Sequence, residues 1–195
     1  MNSFVAVIAI IIAYFCGTLP VAILIAKSKG IDITTFGSGN PGASNVARAL
    51  GAKYGVLVFV GDALKGALPV LALLSNRPIA YACAAATVLG HVFPITRKFK
   101  GGKGVATALG ILLAINWVLG LTTLSTWLIV AVFLRYSSLA ALISALFAPV
   151  YFVFLFGIQP MAMAILLMSA LLIWRHRSNI KNLLNGTEGR LGKKK

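Results

Sequence analysis

Long apolar runs separated by short polar links constrain this chain more than any other feature. A helix that spans a bilayer needs about 20 mainly apolar residues. The 195-residue chain is 59% hydrophobic and only 11% charged, whereas a soluble domain carries roughly a quarter charged residues. We therefore expect an all-α integral membrane protein with little room for a soluble domain, and we treat residues 1–195 as a single transmembrane domain.

The apolar runs predict seven transmembrane helices. The first run is interrupted between Cys16 and Pro20, where we expect a kink. Residues 104–134 are too long for one span, so we divide them near Asn116. The expected helices are 4–26, 54–74, 79–95, 105–116, 117–134, 139–156 and 160–174. Six spans remain if residues 104–116 are only re-entrant.

The basic residues indicate which side of the membrane each link faces. With the N-terminus outside, all Lys and Arg except Lys65 and Arg77 fall in links on the inner side: 27–53, 96–104, 135–138 and 175–195. Because cytoplasmic loops are rich in Lys and Arg, this distribution places the C-terminus in the cytoplasm. The formal charge of +15 then indicates contact with anionic membrane lipids rather than with nucleic acid. The lysines at 193–195 are expected to be a solvated end near lipid headgroups.

A glycine-rich stretch, FGSGNPGASNVARALG at 36–51, follows the first apolar run. Its glycines permit backbone conformations that turn several N–H groups toward one point. Arg48 adds a planar fork of donors suited to phosphate. Neutral hydrogen-bonding side chains surround these glycines: Ser38, Asn40, Ser44 and Asn45. The stretch therefore predicts an anion-binding loop.

A second glycine-rich stretch, FKGGKGVAT at 99–107, leads into the fourth predicted helix. Glycines before a helix N-terminus favour anion binding through backbone N–H groups and the helix dipole, and Lys100 and Lys103 bring countercharge. A nucleotide-hydrolysing loop would need Ser or Thr after the lysine and a strand before the loop, and Gly104 follows Lys103 here. A flexible basic link is the alternative interpretation.

Few other side chains offer chemistry. Asp62 and Lys65 lie three residues apart on one helix face, either as a pair that locks packing or as support beneath an active site. His91 is interpreted as a packing or interface residue. His176 lies among bases at a helix end, where cations are expected in any case. The acids and histidines are too few and too scattered for a metal site, and no metal or cofactor is expected.

The motifs resemble those of the bacterial acyl-phosphate:glycerol-3-phosphate acyltransferases, the PlsY family. Three carry the resemblance: GSGNPGASN with Arg48, then FKGGKG, then RHRSNI with a later GTE at 186–188. The match covers about residues 5–190. The chain has Ser44 where the family often has Thr, and Ser178 where some members have an acid.

The resemblance implies a fold, a reaction and a location. The fold has seven transmembrane helices, and the enzyme lies in the bacterial inner membrane with its active site at the cytoplasmic face. It moves an acyl group from acyl phosphate to the 1-hydroxyl of glycerol 3-phosphate, giving 1-acylglycerol 3-phosphate and phosphate, the first step of phospholipid biosynthesis. The resemblance also implies a functional link to an enzyme that makes acyl phosphate.

The resemblance also implies roles for single residues. Catalytic roles fall to Lys103, His176 and Arg48, while Asp62, Lys65 and His91 are structural or support the site from behind. The acyl phosphate is bound by Ser38, Asn40, Ser44, Asn45, Gly102 and Lys103. Glycerol 3-phosphate is bound by Arg48, Lys103, Ser138, His176 and Asn179. Ser138 also has an ordinary explanation as a helix N-cap. The proton of the hydroxyl goes either to His176 or to the substrate's own phosphate.

Two other functions fit parts of this pattern. A transporter of phosphorylated solutes would place its site near the middle of the membrane, often between paired halves, whereas this chain masses its polar groups at one face. A lipid-binding scaffold would need only the basic inner face. The enzyme is the interpretation that uses all three motifs.

Overall fold

The apolar runs fold as helices. In the computed structural model, which describes residues 2–192, no strand occurs within that range, and the predicted lysine contacts at 193–195 lie outside it. The α-helices are α1 (Ser3–Thr18), α2 (Val21–Lys27), α3 (Ala43–Leu50), α4 (Ala52–Leu71), α5 (Arg77–Val92), α6 (Val105–Ile115), α7 (Trp117–Leu134), α8 (Ser137–Phe156), α9 (Pro160–Arg175) and α10 (Arg177–Leu184), with a 3₁₀ turn at Ile95–Arg97.

Five segments of the described chain are long and apolar enough to cross a membrane: Ser3–Lys27, Ala52–Leu71, Arg77–Arg97, Trp117–Leu134 and Ser137–Phe156. The other two predicted helices are present as α6 and α9, which have 11 and 16 residues. Both are apolar but shorter than the roughly 20 residues of a full span. The helices expected from the sequence therefore form, and five of them have the length of a span.

Two predicted interruptions are confirmed. The first apolar run breaks at Leu19–Pro20, between α1 and α2, because Pro20 has no N–H to continue the helix. The division near Asn116 also occurs. The Asn116 side chain accepts hydrogen bonds from the backbone N–H groups of Val118 (2.9 Å) and Leu119 (3.1 Å), so it caps the start of α7.

The chain divides into two compact units, a first unit (Met1–Ile115) and a second unit (Asn116–Lys195). In the first unit α1 packs on α5, and α4 packs on α3 and α6. In the second unit α8 packs between α7 and α9, and α10 contacts α8 and α9. The predicted functional residues are distributed over both units.

Many interior positions carry small side chains, and many of the outward ones are large. Completely buried positions include Ala13, Ala26 and Ala140, whereas Phe154 is 88% exposed and Ile158 is 92% exposed. Since lipid tails are as apolar as Leu or Phe, helices in a membrane associate through close packing of small residues. The distribution is the one expected when the outer surface faces lipid.

The contact between α4 and α6 illustrates how close this packing is. A Cβ added to Gly66 would collide with the backbone oxygen of Thr107, and one added to Gly110 would collide with that of Ala63. Each helix thus places a glycine against the backbone of the other. This contact fixes the start of α6, where the second glycine-rich stretch ends, against the helix that carries Asp62 and Lys65.

Candidate active site

The first glycine-rich stretch is a tight turn followed by a short helix. Gly37 and Gly39 have φ values of +56° and +66°, which favour glycine because other residues rarely adopt them. The Gly39 N–H donates to Phe36 O at 2.9 Å, and α3 begins at Ala43. The sequence interpretation treated these residues only as a loop and did not predict α3.

Asn45 holds this turn together from the inside. Its side chain is 2% exposed, and its Nδ2 donates to Phe36 O (2.9 Å) and Ile33 O (3.2 Å). Its Oδ1 accepts from the Ser38 N–H at 3.3 Å. Both ends of the amide are thus engaged with the backbone of the turn, so Asn45 shapes the loop rather than projecting from it. The side chains of Ser38 and Arg48 are exposed.

Asp32 orders the backbone that leads into the turn. Its carboxylate accepts from the Thr34 hydroxyl (2.7 Å) and the Thr34 N–H (2.9 Å). These hydrogen bonds favour the ionised form and lower the pKa of Asp32 from its ordinary value of 3.8, with a smaller contribution from the positive charge of Arg97. The neighbouring Ile33 points inward and is 1% exposed.

The second glycine-rich stretch is bonded to the end of α5. The Gly101 N–H donates to Val92 O (3.2 Å) and the Gly102 N–H donates to His91 O (3.1 Å). The Gly102 N–H is therefore used within the protein, and the role of Gly102 in binding acyl phosphate stays a prediction. The half-buried Lys103 then leads directly into α6, whose first turn presents backbone N–H groups at its N-terminus.

The link between α5 and this stretch contains two residues with positive φ and is held by hydrogen bonds to α1. Lys98 and Phe99 have φ values of +50° and +61°, which are uncommon for residues with side chains. Tyr14 of α1 secures the other end of the link, because its hydroxyl donates to Phe93 O (2.8 Å) and accepts from the Ile95 N–H (3.1 Å). The sequence interpretation missed Tyr14, which lies about 80 positions away from its partners.

Asp62 and Lys65 form the predicted ion pair beneath the loop. The Lys65 Nζ lies 2.7 Å from the Asp62 Oδ1, and both side chains are buried. The same Nζ donates to Leu19 O at 2.8 Å, at the break between α1 and α2. The His91 Nδ1 lies 3.9 Å from the Asp62 Oδ1. Lysine thus neutralises the acid and also donates to a carbonyl at the helix break, which accepts from the Val21 N–H as well (3.1 Å).

A cavity in the first unit brings these elements together. Its lining includes Pro41 from the first glycine-rich stretch, and Gly101 and Gly102 from the second. The charged or ionisable residues that line it are Asp62, Lys65, His91 and Arg97. One residue of the first stretch and two of the second therefore line the same cavity within the first unit.

The second unit holds a separate cluster of polar side chains. The Glu188 Oε1 accepts from the Ser138 hydroxyl (2.6 Å) and from the Asn179 Nδ2 (2.8 Å). Tyr136, not Ser138, occupies the N-cap position of α8, so Ser138 is not an N-cap. Sequence analysis placed Glu188 in a motif but did not pair it with these two residues.

His176 and the C-terminal segment complete this cluster. His176 is 3% exposed, and its Nδ1 lies 2.8 Å from Leu172 O. Since a carbonyl oxygen only accepts, the proton of the neutral ring is on Nδ1, and Nε2 is the acceptor nitrogen. The segment after α10 is fixed to the link between α7 and α8: the Arg190 Nε donates to the Tyr136 hydroxyl (2.9 Å), and the Arg135 Nη2 donates to Leu191 O (3.0 Å).

Comparison with known proteins gives consistent matches along the whole chain. Residues 7–186 match the model of the family described as glycerol-3-phosphate acyltransferase. Curated glycerol-3-phosphate acyltransferases are similar: that of Ralstonia nicotianae is 52% identical, with 100% of this chain and 99% of the relative covered. That of Burkholderia ambifaria is 53% identical, with 96% and 92% covered.

Two solved structures are also similar, each 42% identical. Both are of PlsY (YgiH), an integral membrane glycerol 3-phosphate acyltransferase. The glycerol 3-phosphate form has a TM-score of 0.92 and 96% coverage of both chains. The lysophosphatidic acid form has a TM-score of 0.90, with 96% of this chain and 95% of that chain covered.

Proposed function

Because the chain belongs to the glycerol-3-phosphate acyltransferase family, we propose that it moves a fatty acyl group from acyl phosphate to the 1-hydroxyl of sn-glycerol 3-phosphate. The products are 1-acylglycerol 3-phosphate and inorganic phosphate. One observation carries the proposal: Pro41 of the first glycine-rich stretch and Gly101 and Gly102 of the second line a single cavity together with Arg97. Cations and glycine backbone together suit phosphate, which both substrates carry.

The reaction needs positioning more than covalent catalysis. Acyl phosphate is a mixed anhydride with a good leaving group, so the hydroxyl oxygen attacks the carbonyl carbon directly and phosphate departs. Holding the two reactants in line supplies much of the acceleration. Donors that stabilise the charge growing on the departing phosphate supply more.

We assign the acyl phosphate to side chains of the first unit. Lys103 and the first turn of α6 bind the departing phosphate, with Ser38, Asn40 and Ser44 contributing from the first glycine-rich stretch. Asn45 acts indirectly by holding the turn. The N–H of Gly102 is already bonded to His91 O, so Gly102 contributes through its lack of a side chain rather than through that N–H.

We assign glycerol 3-phosphate to Arg48, Lys103, Ser138, His176 and Asn179. His176 is the side chain suited to accept the hydroxyl proton, because its Nδ1 faces Leu172 O and Nε2 is then the acceptor. The substrate's own phosphate is the alternative acceptor. Glu188 holds Ser138 and Asn179 in their orientations.

The membrane topology is part of the same proposal. The five segments of spanning length, together with the shorter α6 and α9, give seven crossings, with the N-terminus outside and the C-terminus in the cytoplasm. The protein then lies in the bacterial inner membrane with both glycine-rich stretches at the cytoplasmic face. There it receives acyl phosphate from an enzyme that makes it and begins phospholipid synthesis.

The decisive experiment measures phosphate release from palmitoyl phosphate by the purified, detergent-solubilised protein. We expect release that depends on glycerol 3-phosphate and matches the lysophosphatidic acid formed. The same protein in sealed vesicles should not accumulate glycerol 3-phosphate. Uptake into vesicles without phosphate release would instead favour a transporter and overturn the proposal.

A further inference from the structure

His91 lies against Gly102 so closely that a side chain at position 102 would force the imidazole or the loop to shift. A Cβ built on Gly102 would lie 2.9 Å from the His91 Cε1, 3.2 Å from the Cδ2 and nearer still to the Nε2. Real Cβ atoms essentially never come closer than 3.0 Å to a non-bonded heavy atom. The imidazole therefore limits how far the loop before Lys103 can move toward α5.

The same residue also holds the loop through its backbone. The His91 O accepts from the Gly102 N–H at 3.1 Å, and the adjacent Val92 O accepts from the Gly101 N–H at 3.2 Å. The backbone bonds draw the loop in, and the ring prevents it from moving further. These opposed contacts act on Gly102, the residue directly before Lys103. They therefore fix the position of the Lys103 backbone.

The ring is in turn supported from α4. The His91 Nδ1 lies 3.9 Å from the Asp62 Oδ1, and that carboxylate is fixed by Lys65 at 2.7 Å. Lys65 is itself anchored on Leu19 O at 2.8 Å. Arg97 of the 3₁₀ turn lines the same cavity. The side chain of His91 is thus placed between a buried ion pair and the loop.

We propose that His91 is a positioning residue that fixes the Gly101–Gly104 loop, and hence Lys103, through the contact of its imidazole with Gly102. The inference deepens the proposed function, on which it rests, because Lys103 is the cation assigned to both phosphates. His91 itself contacts no substrate in this assignment. Its removal lets the loop shift, which weakens the grip on phosphate without removing a reacting group.

The test compares two adjacent glycines that are blocked by different parts of His91. At Gly102 an added methyl meets the side chain of His91, whereas at Gly101 it meets the backbone oxygen of His91 and lies 2.6 Å from both Val92 O and the Pro94 Cδ. Shortening the side chain of His91 can therefore relieve a clash at 102 but not at 101. Gly101 is the matched control.

We expect Gly102→Ala and Gly101→Ala each to lower kcat/KM about 100-fold, since a displacement of the order of 1 Å can cost that much. His91→Ala should lower it less, mainly through a higher KM. The double variant His91→Ala/Gly102→Ala should recover about ten-fold over Gly102→Ala, which is within the range for coupled neighbours. His91→Ala/Gly101→Ala should not recover.

Further variants separate positioning from folding. Thr87→Val removes another buried polar group of α5, whose hydroxyl donates to Cys83 O (2.8 Å), and should leave kinetics unchanged. His91→Asn, which is shorter but polar beside Asp62, should rescue Gly102→Ala if His91→Ala folds poorly. Thermal unfolding in detergent is followed for every variant.

Three results would overturn the inference: equal recovery at 101 and 102, no recovery at 102, or loss of folding in both His91→Ala and His91→Asn. Full activity of Gly102→Ala in the wild-type background would also overturn the inference, because it would mean that the His91 ring moves aside without affecting the loop. Failure of the proposed function is distinguishable. It would appear as a lack of phosphate release by the wild-type protein itself.

Discussion

The two units organise their polar groups by different means. In the first unit the backbone does most of the bonding: Asn45 is held by loop carbonyls, and the N–H groups of Gly101 and Gly102 bond to the end of α5. In the second unit side chains bond to side chains, with Ser138 and Asn179 meeting on Glu188. A site built from backbone groups is damaged by substitutions that add side-chain atoms. A site built from side chains is damaged by substitutions that remove them.

The largest expected effect is that of Lys103→Ala. Loss of the assigned cation should reduce phosphate release about 1000-fold, as for the removal of a strong donor to developing charge, and should leave the fold intact. Assays of phosphate release beside thermal unfolding test this. Near-normal turnover would show that Lys103 does not bind phosphate. Arg48 would then be the remaining cation of the first unit that is assigned to a substrate.

Lys65→Met should be the most destabilising change in the first unit. It leaves the buried carboxylate of Asp62 without its ion-pair partner, which typically costs about 3–5 kcal/mol. The double variant Asp62→Asn/Lys65→Met should recover much of this stability, as measured by thermal unfolding in detergent. A double variant that is stable but inactive would show that the pair serves the reaction as well as packing.

His176→Gln tests the main assignment in the second unit. If Nε2 accepts the hydroxyl proton, kcat should fall about 100-fold or more and lose its dependence on an ionisation of His176. A pH–rate profile of the variant beside the wild type measures both. A small loss, with the profile unchanged, would assign proton transfer to the phosphate of the substrate.

Glu188→Gln should have a smaller effect, because an amide oxygen still accepts from Ser138 and Asn179. Exchanging charge-assisted for neutral hydrogen bonds costs on the order of 1 kcal/mol. The KM for glycerol 3-phosphate should rise several-fold, and Glu188→Ala should be worse. Equal defects in both variants would mean that the charge matters rather than the hydrogen bonds, contrary to the comparison between the units.

The smallest effect is expected at Asp32 and depends on pH. Since hydrogen bonds from Thr34 lower the pKa of Asp32 below 3.8, its contribution to stability is fully present above that value and disappears as the pH falls through the lowered pKa. Asp32→Asn should therefore unfold slightly earlier than wild type at neutral pH and equally at strongly acidic pH. A difference that grows on acidification would contradict this account.

Features set by local chemistry were predictable from the sequence. The break before Pro20, the separation at Asn116 and the pairing of Asp62 with Lys65 each depend on neighbouring residues, and all three are present. Local patterns sufficed because proline, capping residues and glycine act within one turn of their own position.

Features set by distant partners were not predictable. Glu188 is separated by 50 residues from Ser138, and Tyr14 is bonded to a link that follows four further helices, α2 to α5. The bond from the Gly102 N–H to His91 O was not predictable either, because the glycine pattern indicates an accessible backbone but not what occupies it. α3 was missed because its eight residues lie inside a motif dominated by glycine and polar side chains.

The alanine-rich interior and phenylalanine-rich exterior have a consequence for how this protein tolerates mutation. In a water-soluble domain, trimming large residues is the common route to damage, since large residues form the core. Here a survey of all single substitutions should show the reverse: truncation of outward residues such as Phe154 should be mild, whereas enlargement of Ala26 or Gly110 should be severe. The substitutions least tolerated in the evolution of this chain should then be those that increase side-chain volume in the interior.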